Sequence, residues 1–364
     1  MKRATALLAV ALLIAGCGGT GTSSATSPSA KANSSASPLP ETSPAASPGP
    51  LTGAFAVLAT ATSADTYTVT MVSSDGKVVG SAQPSSPTAV TCDDAAAAIV
   101  PLPVSTSDDR AYFMDAQGVI RFLTVQGETG RATTVPTGGG RRSMFAVSPD
   151  DQRIAVVVSD FTSSGVTLKI YVEDLNGGSN HLDIYGTTDV YTLWPLGWHG
   201  PNNLVLAVVP ACTQGGGPFC CGPRELHVVD PVTALRHFAI GGPKCVIAGT
   251  PSPAGAVCEE STTYAQASVL DWTATNLRSF QIPGPEWAYL SPDGRVVALV
   301  SGTNTTFQPA GKTLSMQTCG WIDSTHVIAG GDGSQQPRIG DTTTGKVAPV
   351  AAKGTCAGRL PGGL

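Results

Sequence analysis

The stretch SMFAVSPDDQRIAVVVS, residues 143–159, is echoed in its turn and apolar pattern by EWAYLSPDGRVVALVSG at residues 286–302. A repeat of this kind constrains the fold more than any other feature of the chain, because one hairpin is being used again. In Ser291-Pro292-Asp293-Gly294, proline presets φ for the second position of a type I turn and serine suits the first. Glycine takes the left-handed residue that lets the hairpin close. The copy Ser148-Pro149-Asp150-Asp151 has aspartate in place of that glycine, and aspartate tolerates positive φ better than most residues. Each turn leads through an arginine into a continuous apolar run, IAVVV or VVALV. Strands of that composition are covered on both faces rather than half exposed.

Weaker copies of the hairpin occur at STSDDRAYFM (105–114), HGPNNLVLAVV (199–209), SPAGAVC (252–258) and IDSTHVIAG (322–330). Trp198, Trp287 and Trp321 stand just ahead of their turns. A second hairpin type alternates with the first: TVQGETGRA (124–132), YVEDLNGGS (171–179), VVDPVTALR (228–236), LDWTATNLR (270–278) and IGDTTTGKV (339–347). In it a strand ends near an acidic or polar residue, a tight Thr- or Gly-containing turn follows, and a new strand begins. One unit therefore has four antiparallel strands and recurs every ~30–50 residues, the signature of propeller blades. The pieces place blades at 53–90, 94–137, 143–185, 192–241, 244–284, 286–316 and 317–350. The expected fold is an all-β, seven-bladed β-propeller. The sixth unit is short and its outer strands are poorly written, which keeps six or eight blades as alternatives. DDAAAAIV (93–100) is the one helix-like patch, and a strand reading competes there.

The SPDG turns followed by buried strands resemble the WD40-like repeats of TolB-like periplasmic propellers and of bacterial lipoprotein propellers. The resemblance covers most of residues 53–350 and implies fold rather than function. Proteins of this type mostly bind other proteins or serve as scaffolds in the cell envelope, and some propellers are enzymes. No functional residue carries over to this chain.

The first residues, MKRATALLAVALLIAGCGGT, place Lys2 and Arg3 ahead of an apolar run from Ala4 to Ala15. That run is too short to span a bilayer and is bounded like a secretory leader. Ile14-Ala15-Gly16-Cys17 resembles the lipobox of bacterial lipoproteins, in which the cysteine becomes the first mature residue and carries lipid. The expected divisions are a leader at 1–16, the lipidated Cys17 and a spacer over 17–52, and the propeller over 53–364. Two or three acyl chains, at about 0.8 kcal/mol per buried CH₂, anchor a protein without a transmembrane helix. Residues 18–50 are almost all Gly, Ser, Thr, Ala and Pro, with Lys31 and Glu41 as the charges. Such a segment cannot bury enough apolar surface to fold. As a coil it would separate its ends by roughly 30 Å. The expected location is therefore extracytoplasmic, lipid-anchored to the cell membrane.

The net charge of −5 and the absence of any basic run longer than Arg141-Arg142 argue against a phosphate-tracking surface for nucleic acid. Besides Cys17 there are Cys92, Cys212, Cys220, Cys221, Cys245, Cys258, Cys319 and Cys356. An even set in an exported chain points to disulfides. If residues 249–254 form a hairpin loop, Ala248 pairs with Gly255 and the register sets Cys245 opposite Cys258. Cys319 and Cys356 can join the last blade to the tail. Cys212, Cys220, Cys221 and His227 match no standard zinc spacing, and disulfides explain them better. GDTTTGKV (340–347) nearly matches a phosphate loop, but Val347 replaces the magnesium-binding hydroxyl and a strand follows where a helix is needed.

No G-x-S-x-G elbow is present, and nothing calls for a metal or a cofactor. His181, His199, His227, His237 and His326 are scattered over different blades. Asp93-Asp94, Asp108-Asp109, Asp150-Asp151 and Glu259-Glu260 could serve acid/base or calcium chemistry but read chiefly as structural, Asp108-Asp109 and Asp150-Asp151 falling in blade turns where carboxylates cap backbone amides. The expected work is non-catalytic binding of a protein or envelope polymer, with the Gly- and Cys-rich insertion 210–225 as the first suspect loop. The rival expectation is a hydrolase, lyase or lactonase with its site at the channel mouth.

Overall fold

The strands that are apolar on both faces are buried on both. From the strand Arg153–Thr162, Ile154 and Val156 pack with Tyr112, Met114 and Ile120 on one side. Ala155 and Val157, pointing the other way, pack with Trp198, Leu204 and Leu206. Successive side chains on a strand alternate between faces, so one apolar run serves two interfaces at once.

The molecule is described here by a computed structural model covering residues 53–88, 101–162, 165–189, 191–210, 223, 225–284, 286–331 and 335–364. The chain divides into units Met1–Pro48 and Gly49–Leu364, and the first lies outside the described residues. So do Cys17, Cys92, Cys212, Cys220, Cys221, Asp93-Asp94, most of the insertion 210–225 and the patch 93–100. Among the described residues no helix is long and apolar enough to cross a membrane.

The described strands form seven four-stranded antiparallel sheets. Seven apolar clusters lie one between each pair of consecutive sheets. The ring is closed where Ala56 and Leu58 meet Ile322 and Ile328. The fold is thus an all-β propeller of seven blades, as the repeats indicate. The short sixth unit is a complete blade, with strands Trp287–Leu290, Val297–Ser301, Asn304–Gln308 and Lys312–Leu314.

The first blade departs from the sequence reading, which assigned it residues 53–90 alone. It contributes Phe55–Ala61, Tyr67–Ser73 and Val78–Ala82, and its innermost strand is Thr355–Leu360. That strand pairs with Phe55–Ala61 through a register shift at Val57/Leu58. The other six blades run inside to outside in chain order over 104–134, 141–189, 191–241, 245–281, 287–314 and 320–349.

The repeated turn has one hydrogen-bond plan in both copies. Ser291 Oγ donates to Asp293 Oδ1 at 2.6 Å and accepts from Val296 N at 2.9 Å. Ser148 Oγ does the same with Asp150 Oδ1 at 2.6 Å and Arg153 N at 2.9 Å. The fourth residue is left-handed in each, Gly294 at φ 73° and Asp151 at φ 59°. Both serines are fully buried, and Ser291→Ala strips the part-buried Val296 amide of its acceptor. We expect a loss of about 1–3 kcal/mol, read from a denaturant midpoint.

The tryptophans expected to act alike divide into two groups. Trp198 and Trp321 lie at equivalent places on innermost strands and donate across to the preceding blade. Trp198 Nε1 reaches Ala146 O at 3.0 Å, and Trp321 Nε1 reaches Tyr289 O at 2.8 Å. Trp287 begins its strand instead, and its ring is exposed.

Candidate functional site

In a meander blade, the first-to-second and third-to-fourth connections emerge at one end of the ring, here termed the turn face. The second-to-third and blade-to-blade connections emerge at the other, the loop face. The innermost strands converge on the axis and surround a cavity of about 350 Å³. Each blade contributes wall: Ala357, Val104, Met144, Leu196, Pro251, Tyr289 and Trp321. Arg359 also lines it. Burial pulls the Arg359 guanidinium below its ordinary value, and Asp108 acts in the opposite direction.

The strand that supplies Arg359 approaches its neighbour closely. A Cβ on Gly358 would stand 2.7 Å from Thr106 of the second blade, so glycine is required at that contact. Residues 361–364 continue across the turn-face end of the channel. Gly362 N donates to Ser107 O at 2.7 Å, and Leu364 N donates to Trp198 O at 2.7 Å. His199 Nδ1 lies 2.6 Å from Leu364 O, and its ring stacks on Trp272 with centroids 5.3 Å apart.

The five histidines are not brought together. His181 lies between Glu173 and Asp183, at 2.7 and 3.1 Å, and its pKa is raised chiefly by the bond to Glu173. His227 sits 2.9 Å from Glu225, with burial lowering its pKa. His326 pairs with Asp323 at 2.9 Å, and His237 faces Asn203 at 3.4 Å. Among the described residues no group of three His, Cys, Asp or Glu side chains converges as a metal site.

The near-phosphate loop is a blade turn. Asp341 accepts from Thr343 N at 2.8 Å and from both threonine hydroxyls at 2.6 Å, which holds its pKa far below the carboxylate range. The acidic pairs split in the same spirit. Asp150 caps its turn, while Asp151 takes an ion pair from Arg110 at 3.2 Å. Glu260 caps Thr262 and Thr263, whose hydroxyl and amide bonds bring its pKa to about 2.

Glu259, pointing the other way, is only 3% exposed. Among the described residues its carboxyl takes one hydrogen bond, from Glu286 N at 3.1 Å, and burial raises its pKa from 4.5 to about 7. The folded protein therefore holds this proton at pH values where the unfolded chain has released it. The contribution is complete below about pH 4.5 and is lost as pH rises through 7. Glu259→Gln should flatten that slope and raise stability at pH 8 by roughly 1–3 kcal/mol, measured by urea unfolding across the pH range.

Disulfides join Cys245 to Cys258 and Cys319 to Cys356, with Cα separations of 5.4 and 5.9 Å. The register behind the first differs from the one expected. Cys245 stands opposite Glu260, and Ile247 opposite Cys258. The bond is diagonal because Ser252 and Gly255 pair with each other, at 2.8 and 3.0 Å, and widen the connection by two residues. Cys356 is not on a loose tail but on the closing strand of the first blade.

The solved structures to which this chain is similar are β-propellers. Dihydro-heme d1 dehydrogenase NirN in complex with DHE aligns at a TM-score of 0.47 and 12% identity, over 85% of this chain and 75% of that one. BamB from Moraxella catarrhalis aligns at a TM-score of 0.37 and 14% identity, over 86% of this chain and 84% of that one. Likeness at this distance concerns the fold. No protein-family model and no curated protein matches the chain.

Proposed function

We propose that this chain is an extracytoplasmic lipoprotein whose propeller binds a protein or envelope-polymer partner through its loop face. Residues 1–16 act as the leader, Cys17 carries the lipid, and the spacer to residue 52 holds the propeller clear of the headgroups. The observation that carries the binding reading is the unequal treatment of the two faces. On the turn face, the connections within the blades are short and capped by their own Ser or Asp side chains. The long connections, from Ala82 to Val104 and from Pro210 to Glu225, both start and end at the loop face. Surface loops on a rigid scaffold are where recognition residues concentrate.

Two variants of the full chain test the reading. Cys17→Ala should shift the protein from the membrane fraction to the soluble extracytoplasmic fraction, and unchanged membrane retention would refute the anchor. Replacing residues 213–219 by a short Gly-Ser loop should abolish partner capture while leaving the melting transition in place. Capture at wild-type level would refute the role of that loop.

A further inference from the structure

We propose that the channel cavity is a binding site for a small amphipathic carboxylate, its apolar body held by the channel wall and its carboxylate by Arg359. This site is independent of the partner surface on the loop face. The volume of about 350 Å³ falls in the range of small-molecule sites, which are mostly apolar with few polar groups. Met144, Leu196, Trp194, Tyr289 and Trp321 supply apolar and aromatic wall. Tyr289 adds a hydroxyl that has no hydrogen-bond partner among the described residues, and burial pushes its pKa up to about 12.

Arg359 is the charged side chain of this wall, which Leu364 also lines. Among the described residues no carboxylate lies within 4.0 Å of it. Asp108 acts on it from beyond that distance. A desolvated cation without a close counter-ion is costly, and a planar guanidinium is matched by a carboxylate in a two-point geometry. One arginine among apolar and neutral polar side chains, with Ser105, Thr106, Thr250, Ser252 and Thr355 in the wall, suits a monoanion rather than a phosphate dianion. Residues 361–364 cross the turn-face end of the channel.

The test titrates the purified full chain with 4-phenylbutyrate and, separately, with 4-phenylbutan-1-ol, following heat by calorimetry and the fluorescence of the wall tryptophans. The acid should bind saturably at one site and at least about tenfold more tightly than the alcohol. Arg359→Gln should remove most of that difference while leaving alcohol binding unchanged. Asp108→Asn, at an exposed position, should strengthen acid binding by about two- to threefold by removing an opposing charge. No saturable binding of the acid, or equal affinity for acid and alcohol on the unaltered chain, would overturn the proposal. That comparison needs no substitution, so a variant that failed to fold would not shelter it. Loss of partner capture in the loop variant, with acid binding intact, would separate the two sites.

Discussion

Trp198→Ala is expected to cost about 3–5 kcal/mol of unfolding free energy. The indole is fully buried between the third and fourth blades, against Ala155, Val157, Leu204 and Leu206. Its truncation leaves a cavity that flanking β-sheet cannot collapse to fill. It also removes the donor to Ala146 O at 3.0 Å and the face over which the Arg153 guanidinium lies at 4.9 Å. Trp198→Phe separates these contributions: most of the ring volume stays and the hydrogen bond goes, for about 1–3 kcal/mol. Both losses are read from urea midpoints by near-ultraviolet circular dichroism. A cost under about 1 kcal/mol for the alanine variant would mean that the inter-blade contact is not what the packing indicates.

Replacing Cys319 and Cys356 together by alanine is expected to lower stability by about 3–4 kcal/mol, from release of a cross-link with a sequence separation of 37. The location makes this bond matter beyond its loop entropy. Cys356 lies on the strand that completes the first blade, and Cys319 leads into the first strand of the seventh. Thr355–Leu360 is held to Phe55–Ala61 by one interrupted ladder. Without the staple, the strand relies on that ladder, on Leu360 in its cluster, and on the flanking bonds from Gly354 to Gly331, Gly362 to Ser107 and Leu364 to Trp198. Hydrogen exchange should show Phe55–Ala61 losing protection first in the double variant, before the central strands of the fourth blade. Uniform loss over all blades would argue that closure is not the weak point.

What the sequence displayed of this fold is what short-range chemistry can write. Ser291-Pro292-Asp293-Gly294 states its own turn, and the apolar runs state that both faces are covered. The closing strand could not be read this way. TCAGRL has no turn partner beside it, and Thr355 Oγ1 finds Ala59 O across 296 residues. The register of Cys245 and Cys258 failed for a related reason. Pro251-Ser252-Pro253 looks like a simple loop, yet Ser252 and Gly255 make their own pair within it. The channel wall was not legible at all, since Arg359, Tyr289 and Leu196 become neighbours only when the ring closes. Alternation was the signal available for Glu259: beside the turn-capping Glu260, the adjacent residue had to point inward.

The central claim is that the loop face, rather than the turn face, meets the partner. Photo-cross-linking residues can be placed in intact cells at exposed positions of each: Ser63 and Thr262 on the loop face, Glu128 and Thr343 on the turn face. The account predicts one reproducible adduct of constant mass from the loop-face positions and none from the turn-face positions. Adducts from Glu128 and Thr343, with Ser63 and Thr262 silent, would contradict it.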